Sequence, residues 1–111
     1  MTRTNLRRSC LYIGGGSPAK ILEARFCDAD CVVYDLEDSV AYTEKDTARF
    51  LVHNALKTLD FGRKEIVVRI NDLASGLGIR DLEAIVPAGV HVVRLPKTDC
   101  AQDVIDCEKE I

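Results

Sequence analysis

The densest chemistry in the chain lies in VVYDLEDSV, Val32 to Val40, where an apolar run ends in Asp35, Glu37 and Asp38. Side chains alternate along a strand, so Val32, Tyr34 and Leu36 share one face while Val33, Asp35 and Glu37 share the other. In parallel α/β proteins the carboxyl ends of strands are the ligand-binding ends. Crowded carboxylates there require a compensating cation, and the sequence offers Arg69, Lys97 or a bound metal. Arg69 lies in EIVVRIN, where Ile66, Val68 and Ile70 form an apolar face and Glu65, Val67, Arg69 and Asn71 the opposite one. Its planar fork grips a carboxylate at two points. The carboxylate is either an internal one, from Asp35 or Glu37, or a substrate's, and one arginine can serve both. Asp38 is alternatively a cap for the next segment. Lys97 is either a further anion contact or a surface lysine, and Arg94 reads as an internal pair. His53 on a helix and His91 at a strand start read as structural.

A second motif, GGGSP, follows a short strand and precedes a helix. Backbone N–H groups at a helix start suit anions, which makes Gly15, Gly16 and Ser17 candidate anion contacts. The spacing is neither the dinucleotide fingerprint nor a P-loop, since the glycines are contiguous and no Lys follows. A tight turn between strand and helix is the alternative.

These residues need elements to position them. The first strand is Cys10 to Ile13, and Ser17 and Pro18 suit the N-cap and first position of a helix running to about Cys27. The acidic strand follows. Ala48, Leu51, Val52, Ala55, Leu56 and Leu59 recur at helical spacing, predicting a helix from Glu44 to Leu59 with Thr43 as its cap. Asp60 to Lys64 turn around Gly62 into EIVVRIN. A short helical segment from about Arg80 to Val86 ends at Pro87, Ala88 and Gly89. HVVRLPK is the fourth strand, and Ala101 to Glu110 an amphipathic helix with Val104, Ile105 and the Cys107 region inward. This βαβαβαβα order implies a parallel sheet with right-handed crossovers. Two architectures fit: an open doubly wound sheet, or the N-terminal half of a (β/α)8 barrel, whose complete form needs about 250 residues.

Length and composition bound the rest. The 111 residues suit one domain, spanning 1–111, and nearly half are apolar. A formal net charge of −3 argues against a dedicated nucleic-acid binder. The basic start (Arg3, Arg7, Arg8) precedes only CLYI, too short for a secretory or membrane segment. A cytoplasmic protein is expected. The five cysteines show no disulfide-framework spacing and read as reduced thiols, mostly buried. Cys27 and Cys31 lack the second pair or nearby His that zinc would require.

RRSCLYIGGGSP, DLEDSV followed by EKDTAR, VVRIND, DLEAIV and VRLPKTD occur in an order that resembles the HpcH/HpaI-like aldolase family. EKDTAR and RLPKTD with AQD bring the chain nearest to the citrate lyase β branch of that family, beside the citryl-CoA and malyl-CoA lyases. The resemblance covers nearly everything from Arg7 onward. It implies a (β/α)8 barrel that cleaves a citryl thioester, carried on an acyl carrier protein or coenzyme A, into oxaloacetate and an acetyl thioester, using Mg2+. It implies other citrate lyase subunits as partners. On this resemblance Arg69 matches the substrate-carboxylate arginine, and Glu37 and Asp38 match acids at the barrel mouth. Relatives usually carry Pro where this chain has Gly14, and often another residue at Gly16. The family's metal-binding Glu and Asp come from later strands, so no residue here is assigned as a direct magnesium ligand. The expectation is an apparently truncated barrel, inactive alone, whose open sheet edges favour self-association. The alternatives are a non-catalytic half-barrel that docks onto other subunits, a related malyl-CoA-type lyase, or a flavodoxin-like sheet binding a phosphorylated ligand.

Overall fold

A computed structural model describes residues 7–111; Arg3 of the basic start lies outside the described residues. Four strands, β1 (Cys10–Gly14), β2 (Cys31–Asp35), β3 (Glu65–Arg69) and β4 (Val92–Arg94), alternate with helices α1 (Pro18–Glu23), α2 (Lys45–Thr58), α3 (Leu77–Ile85) and α4 (Ala101–Glu110). All neighbouring strands pair in parallel, in the spatial order β1-β2-β3-β4. A doubly wound sheet reverses its strand order at a switch point. Here the order never reverses, which is the progression of a β/α barrel and removes the flavodoxin-like alternative.

The alternation read from the sequence sets the two faces. Val32, Tyr34, Leu36, Ile66, Val68 and Ile70 are at most 1% exposed and form the main core with Ile13, Ile21, Ala48, Val52, Leu82 and Ile85. Tyr34 stays satisfied there, because its hydroxyl donates to the Ile21 carbonyl at 3.0 Å. The opposite face is stacked in rows by the register. Cys10, Cys31 and Glu65 form one row, Tyr12, Val33, Val67 and Val92 the next, and Gly14, Asp35, Arg69 and Arg94 the last. The last row lies at the strands' carboxyl ends.

The sequence places α4 correctly and α2 within a residue at each end, whereas other boundaries differ for local reasons. α1 tightens after Glu23 into a 3-10 turn, Ala24–Phe26. Thr43 does not cap α2: it sits inside a 3-10 turn, Tyr42–Glu44, and Glu44 directly precedes the helix. α3 begins at Leu77, earlier than its glycines suggest. Gly78 is required there by close approach, since a Cβ would lie 2.3 Å from the Asn71 carbonyl oxygen. β4 is shorter than HVVRLPK, because Pro96 has no N–H to donate and Lys97 turns to a left-handed φ of 51°. On α4 only Cys107 is buried, while Val104 and Ile105 are 51% and 45% exposed. That helix follows the edge strand, so only one of its sides meets the sheet. Among the cysteines, Cys31 and Cys107 are buried and Cys27 is half-buried, but Cys10 and Cys100 are exposed, contrary to a mostly buried set.

Candidate functional site

Parallel pairing places Asp35 beside Arg69 and Arg69 beside Arg94. Arg69 donates Nε to Asp35 Oδ1 at 2.8 Å and Nη2 to Oδ2 at 2.9 Å. This side-on pair uses one edge of the guanidinium and leaves the Nη1/Nη2 edge for another acceptor. Asp35 is fixed from below as well: the N–H groups of Glu37 and Ser39 each donate to its carboxylate at 2.9 Å. Burial alone would raise the Asp35 carboxyl, but Arg69 and the bonds from Ser39 and Glu37 outweigh it and hold it well below the usual carboxylate range. Hydrogen bonding to Asp35 in turn holds Arg69 above its ordinary value. Both groups are therefore charged throughout the physiological range.

The three acids do not converge on one point. Asp35 is buried against Arg69, Glu37 is half-buried, and Asp38 is exposed. The Glu37 carboxylate lies 4.0 Å from Lys97 Nζ, and the Lys97 side chain is 73% exposed. Lys45, which sequence reasoning did not single out, ties the acidic loop to α2 by donating Nζ to the carbonyls of Leu36 (3.0 Å) and Glu37. Its only sequence signal was its place in the first turn of a helix following the acids.

The glycine loop lies at the same end with a different role from the one expected of it. The Gly15 N–H donates to the Asp35 carbonyl at 2.8 Å, so it is engaged inside the fold rather than open to an anion. A Cβ on Gly15 would sit 2.9 Å from that same oxygen and from Leu36, which explains the small residue. Gly16 is exposed and Ser17 half-buried, and Ser17 makes no side-chain cap to α1.

Tyr12 is the group that sequence reasoning missed. Its ring lies 5.6 Å from the Arg69 guanidinium carbon and 5.7 Å from that of Arg94. Side chains from the first and fourth strands thus meet over the two strands between them, and among the described residues no carboxylate makes with Arg94 the internal ion pair expected of it. The only warning in the sequence was an aromatic residue on the same alternating face as the acids. The two histidines bond to backbone: His53 Nδ1 lies 2.6 Å from the Ala84 carbonyl, and His91 Nδ1 accepts from the Ile66 N–H at 3.0 Å. A second buried ionic node, also unforeseen, supports the rim from behind. Asp81 accepts from Arg49 Nε at 2.7 Å, from the Asn71 N–H at 2.8 Å and from Asn71 Nδ2 at 2.7 Å.

The donor set at this rim does not suit magnesium. Asp35 has both oxygens committed to Arg69 and backbone N–H groups, and no three His, Cys, Asp or Glu side chains among the described residues cluster closely enough to hold an ion. These residues alone do not fit the metal.

Sequentially ordered parallel strands, joined by helices and carrying an arginine–carboxylate pair at their carboxyl ends, match four consecutive units of a (β/α)8 barrel. The chain belongs to the HpcH/HpaI aldolase/citrate lyase family, whose pattern matches residues 8–111. It is 50% identical over 109 residues to the citrate lyase subunit beta of Escherichia coli (strain K12), covering 98% of this chain and 36% of that protein. It is 39% identical over 97 residues to the (3S)-malyl-CoA thioesterase of Cereibacter sphaeroides (strain KD131), covering 87% of this chain and 34% of that protein. A solved citrate lyase beta subunit from Mycobacterium tuberculosis, complexed with oxaloacetate and magnesium, superposes with a TM-score of 0.72 at 35% identity, covering 87% of this chain and 41% of that one. The chain thus spans about a third of the length of the curated relatives it matches. The family and the four-unit half-barrel fold agree with the sequence reading.

Proposed function

We propose that this chain forms the substrate-carboxylate-binding rim of a carbon–carbon lyase that cleaves a citryl thioester into oxaloacetate and an acetyl thioester. The observation that carries the reading is Arg69 held side-on by Asp35, with its other edge unused, at the ligand end of a barrel sheet. In such a retro-Claisen cleavage a base removes the proton of the tertiary hydroxyl, the carbon–carbon bond breaks as the carbonyl of oxaloacetate forms, and the acetyl thioester departs as an enolate. Magnesium, when bound by the complete barrel, supplies Lewis-acid stabilisation of developing oxygen charge. This chain's part is positioning. Arg69 receives a substrate carboxylate in two-point fashion, Asp35 keeps the guanidinium from rotating, and Tyr12 packs against it. Glu37 and Asp38 stand at the mouth, where they act on waters or neighbouring ligands, and the Glu37 charge also favours the charged form of Arg69. Lys97, Gly16 and Ser17 offer a peripheral anion contact for the thioester carrier, whether an acyl carrier protein or coenzyme A.

Self-association and contact with further citrate lyase subunits are part of the proposal, supported by the open edges of β1 and β4. Unpaired thiols at all five cysteines support a reducing, cytoplasmic setting, and no helix among the described residues is long and apolar enough to cross a membrane.

A chimera tests the function. Residues 1–111 replace the aligned stretch of the E. coli relative, and citryl thioester cleavage is assayed with Mg2+. The chimera is expected to turn over, and its Arg69→Met variant to lose activity by at least about a hundredfold, the scale for a lost charged contact. A folded, active chimera indifferent to Arg69→Met would overturn the reading. The 111-residue polypeptide alone is expected to show no turnover.

A further inference from the structure

We infer that Arg94 is a second carboxylate-binding group on this rim, selecting substrates with two free carboxylates over those with one. The inference rests on the reading of Arg69 given above. Arg69 and Arg94 are register partners on adjacent strands, and both guanidiniums lie against the Tyr12 ring, so both project from the same face. Their electrostatic situations differ. Arg69 has Asp35, whereas among the described residues no carboxylate pairs with Arg94, which is exposed. Asp35 cannot serve both, because each of its oxygens already accepts from Arg69 and from a backbone N–H. Glu37 faces Lys97 instead. The rim row therefore carries two permanent cations and one anion, with the surplus charge on Arg94.

The chemistry of the two thioester classes supplies an occupant for that surplus. Next to the carbon–carbon bond that breaks, a citryl thioester bears two free carboxylates and a malyl thioester only one. Adjacent strands lie about 4.8 Å apart, on the scale of two carboxylates borne on neighbouring carbons. Arg69 takes the carboxylate common to both classes, and Arg94 takes the one that only the citryl group has. Tyr12 packs against both guanidiniums, with its ring centre 5.6 Å from Arg69 Cζ and 5.7 Å from Arg94 Cζ, and so holds the two side by side.

Removing the thioester carbonyl carbon from each class gives two stable probes, citramalate for the citryl group and lactate for the malyl group. The full 111-residue chain, labelled with 15N, is titrated with each while the arginine Nε–H signals and the rim amides are followed. Citramalate is expected to bind about tenfold more tightly than lactate, the worth of one charge-assisted contact. Arg94→Gln abolishes that preference while leaving lactate affinity unchanged, and Arg94→Lys restores part of it. Circular dichroism confirms that each variant is folded. An Arg94→Gln protein that keeps the preference, or that weakens both ligands equally, overturns the inference. Lactate binding that Arg69→Met abolishes, without any preference for citramalate, overturns this inference and leaves the Arg69 reading standing. Perturbation by neither probe overturns both.

Discussion

Replacing Asp35 by Ala removes the partner of Arg69 and the acceptor for two loop N–H groups in one step. Deleting one member of a buried ion pair costs about 3–5 kcal/mol, because the other charge is left stranded. Asp35 is well buried, with a side chain 4% exposed, but Arg69 is 25% exposed and can turn partly into water. That places the pair loss towards the lower end. The N–H groups of Glu37 and Ser39 lie in a loop that solvent reaches and add a smaller increment. We expect Asp35→Ala to cost about 3 kcal/mol and Arg69→Met about 2 kcal/mol, since Asp35 would keep its two backbone donors. A domain of this size is stable by about 5–15 kcal/mol, so both variants should fold. The chain has no Trp, so urea unfolding is followed by far-ultraviolet circular dichroism. The double-mutant cycle should show a coupling of at least about 1 kcal/mol. The pH dependence has a fixed sign. Asp35 is held below its unfolded value, so its contribution is complete above about pH 4 and is lost as pH falls towards the depressed native value. The difference between wild type and Asp35→Asn should shrink over that acidic window. A cost below about 0.5 kcal/mol for Asp35→Ala, or an additive cycle, would refute the reasoning.

Three further outcomes follow from the same geometry. Asp81→Ala should destabilise the chain by about 2–4 kcal/mol, because Asn71 loses the acceptor of two N–H groups and Arg49 keeps only the exposed Asp46 as partner among the described residues; an unchanged urea midpoint would count against that buried node. Gly78→Ala should lower stability by about 1–3 kcal/mol through the clash with the Asn71 carbonyl, and a neutral melting temperature would mean that the loop shifts freely. Cys31, whose thiol burial and the neighbouring Cys10 push up to about 12, should resist iodoacetamide at pH 8 while exposed Cys100 reacts. Mass spectrometry finding equal modification of the two would show that the strand opens.

The sequence was most informative where a period carried the signal. Alternation in VVYDLED and EIVVRIN separated core from lumen side chain by side chain, and it put Asp35 and Arg69 on one face because each is an odd step from its apolar neighbours. It could not decide whether Asp35 or Glu37 would hold the arginine, since that depends on inter-strand register. Parallel pairing aligns Asp35 with Arg69, while Glu37 and Asp38 lie past the strand's end in a loop whose path is set by Lys45 and the backbone bonds to Asp35. The closeness of Tyr12 and Arg94 stayed hidden for a related reason. Their meeting joins the first and fourth strands, a contact 82 positions apart that no local pattern encodes. The glycine loop misled because a glycine can serve a ligand or a neighbouring backbone equally well, and only the position of the Asp35 carbonyl decides between them.

The row arrangement separates stability from binding along the strands. At the amino-terminal end, buried Glu65 is gripped by Arg7 through Nε and, at 2.8 Å, through Nη2. At the carboxyl end, Asp35 is gripped by Arg69 in the same side-on manner. Between them Val33, Val67 and Val92 form an apolar stretch of the row that Tyr12 completes. The two ion pairs therefore have similar chemistry and different duties. The lower pair satisfies a carboxylate that the fold has buried, whereas the upper one has an unused guanidinium edge and a second arginine beside it. Charge reversal at Arg7 should accordingly act on folding alone, and charge removal at Arg94 on ligand choice alone. That division is the one expected of a barrel, whose amino-terminal rim holds the sheet together while its carboxyl-terminal rim meets the ligand.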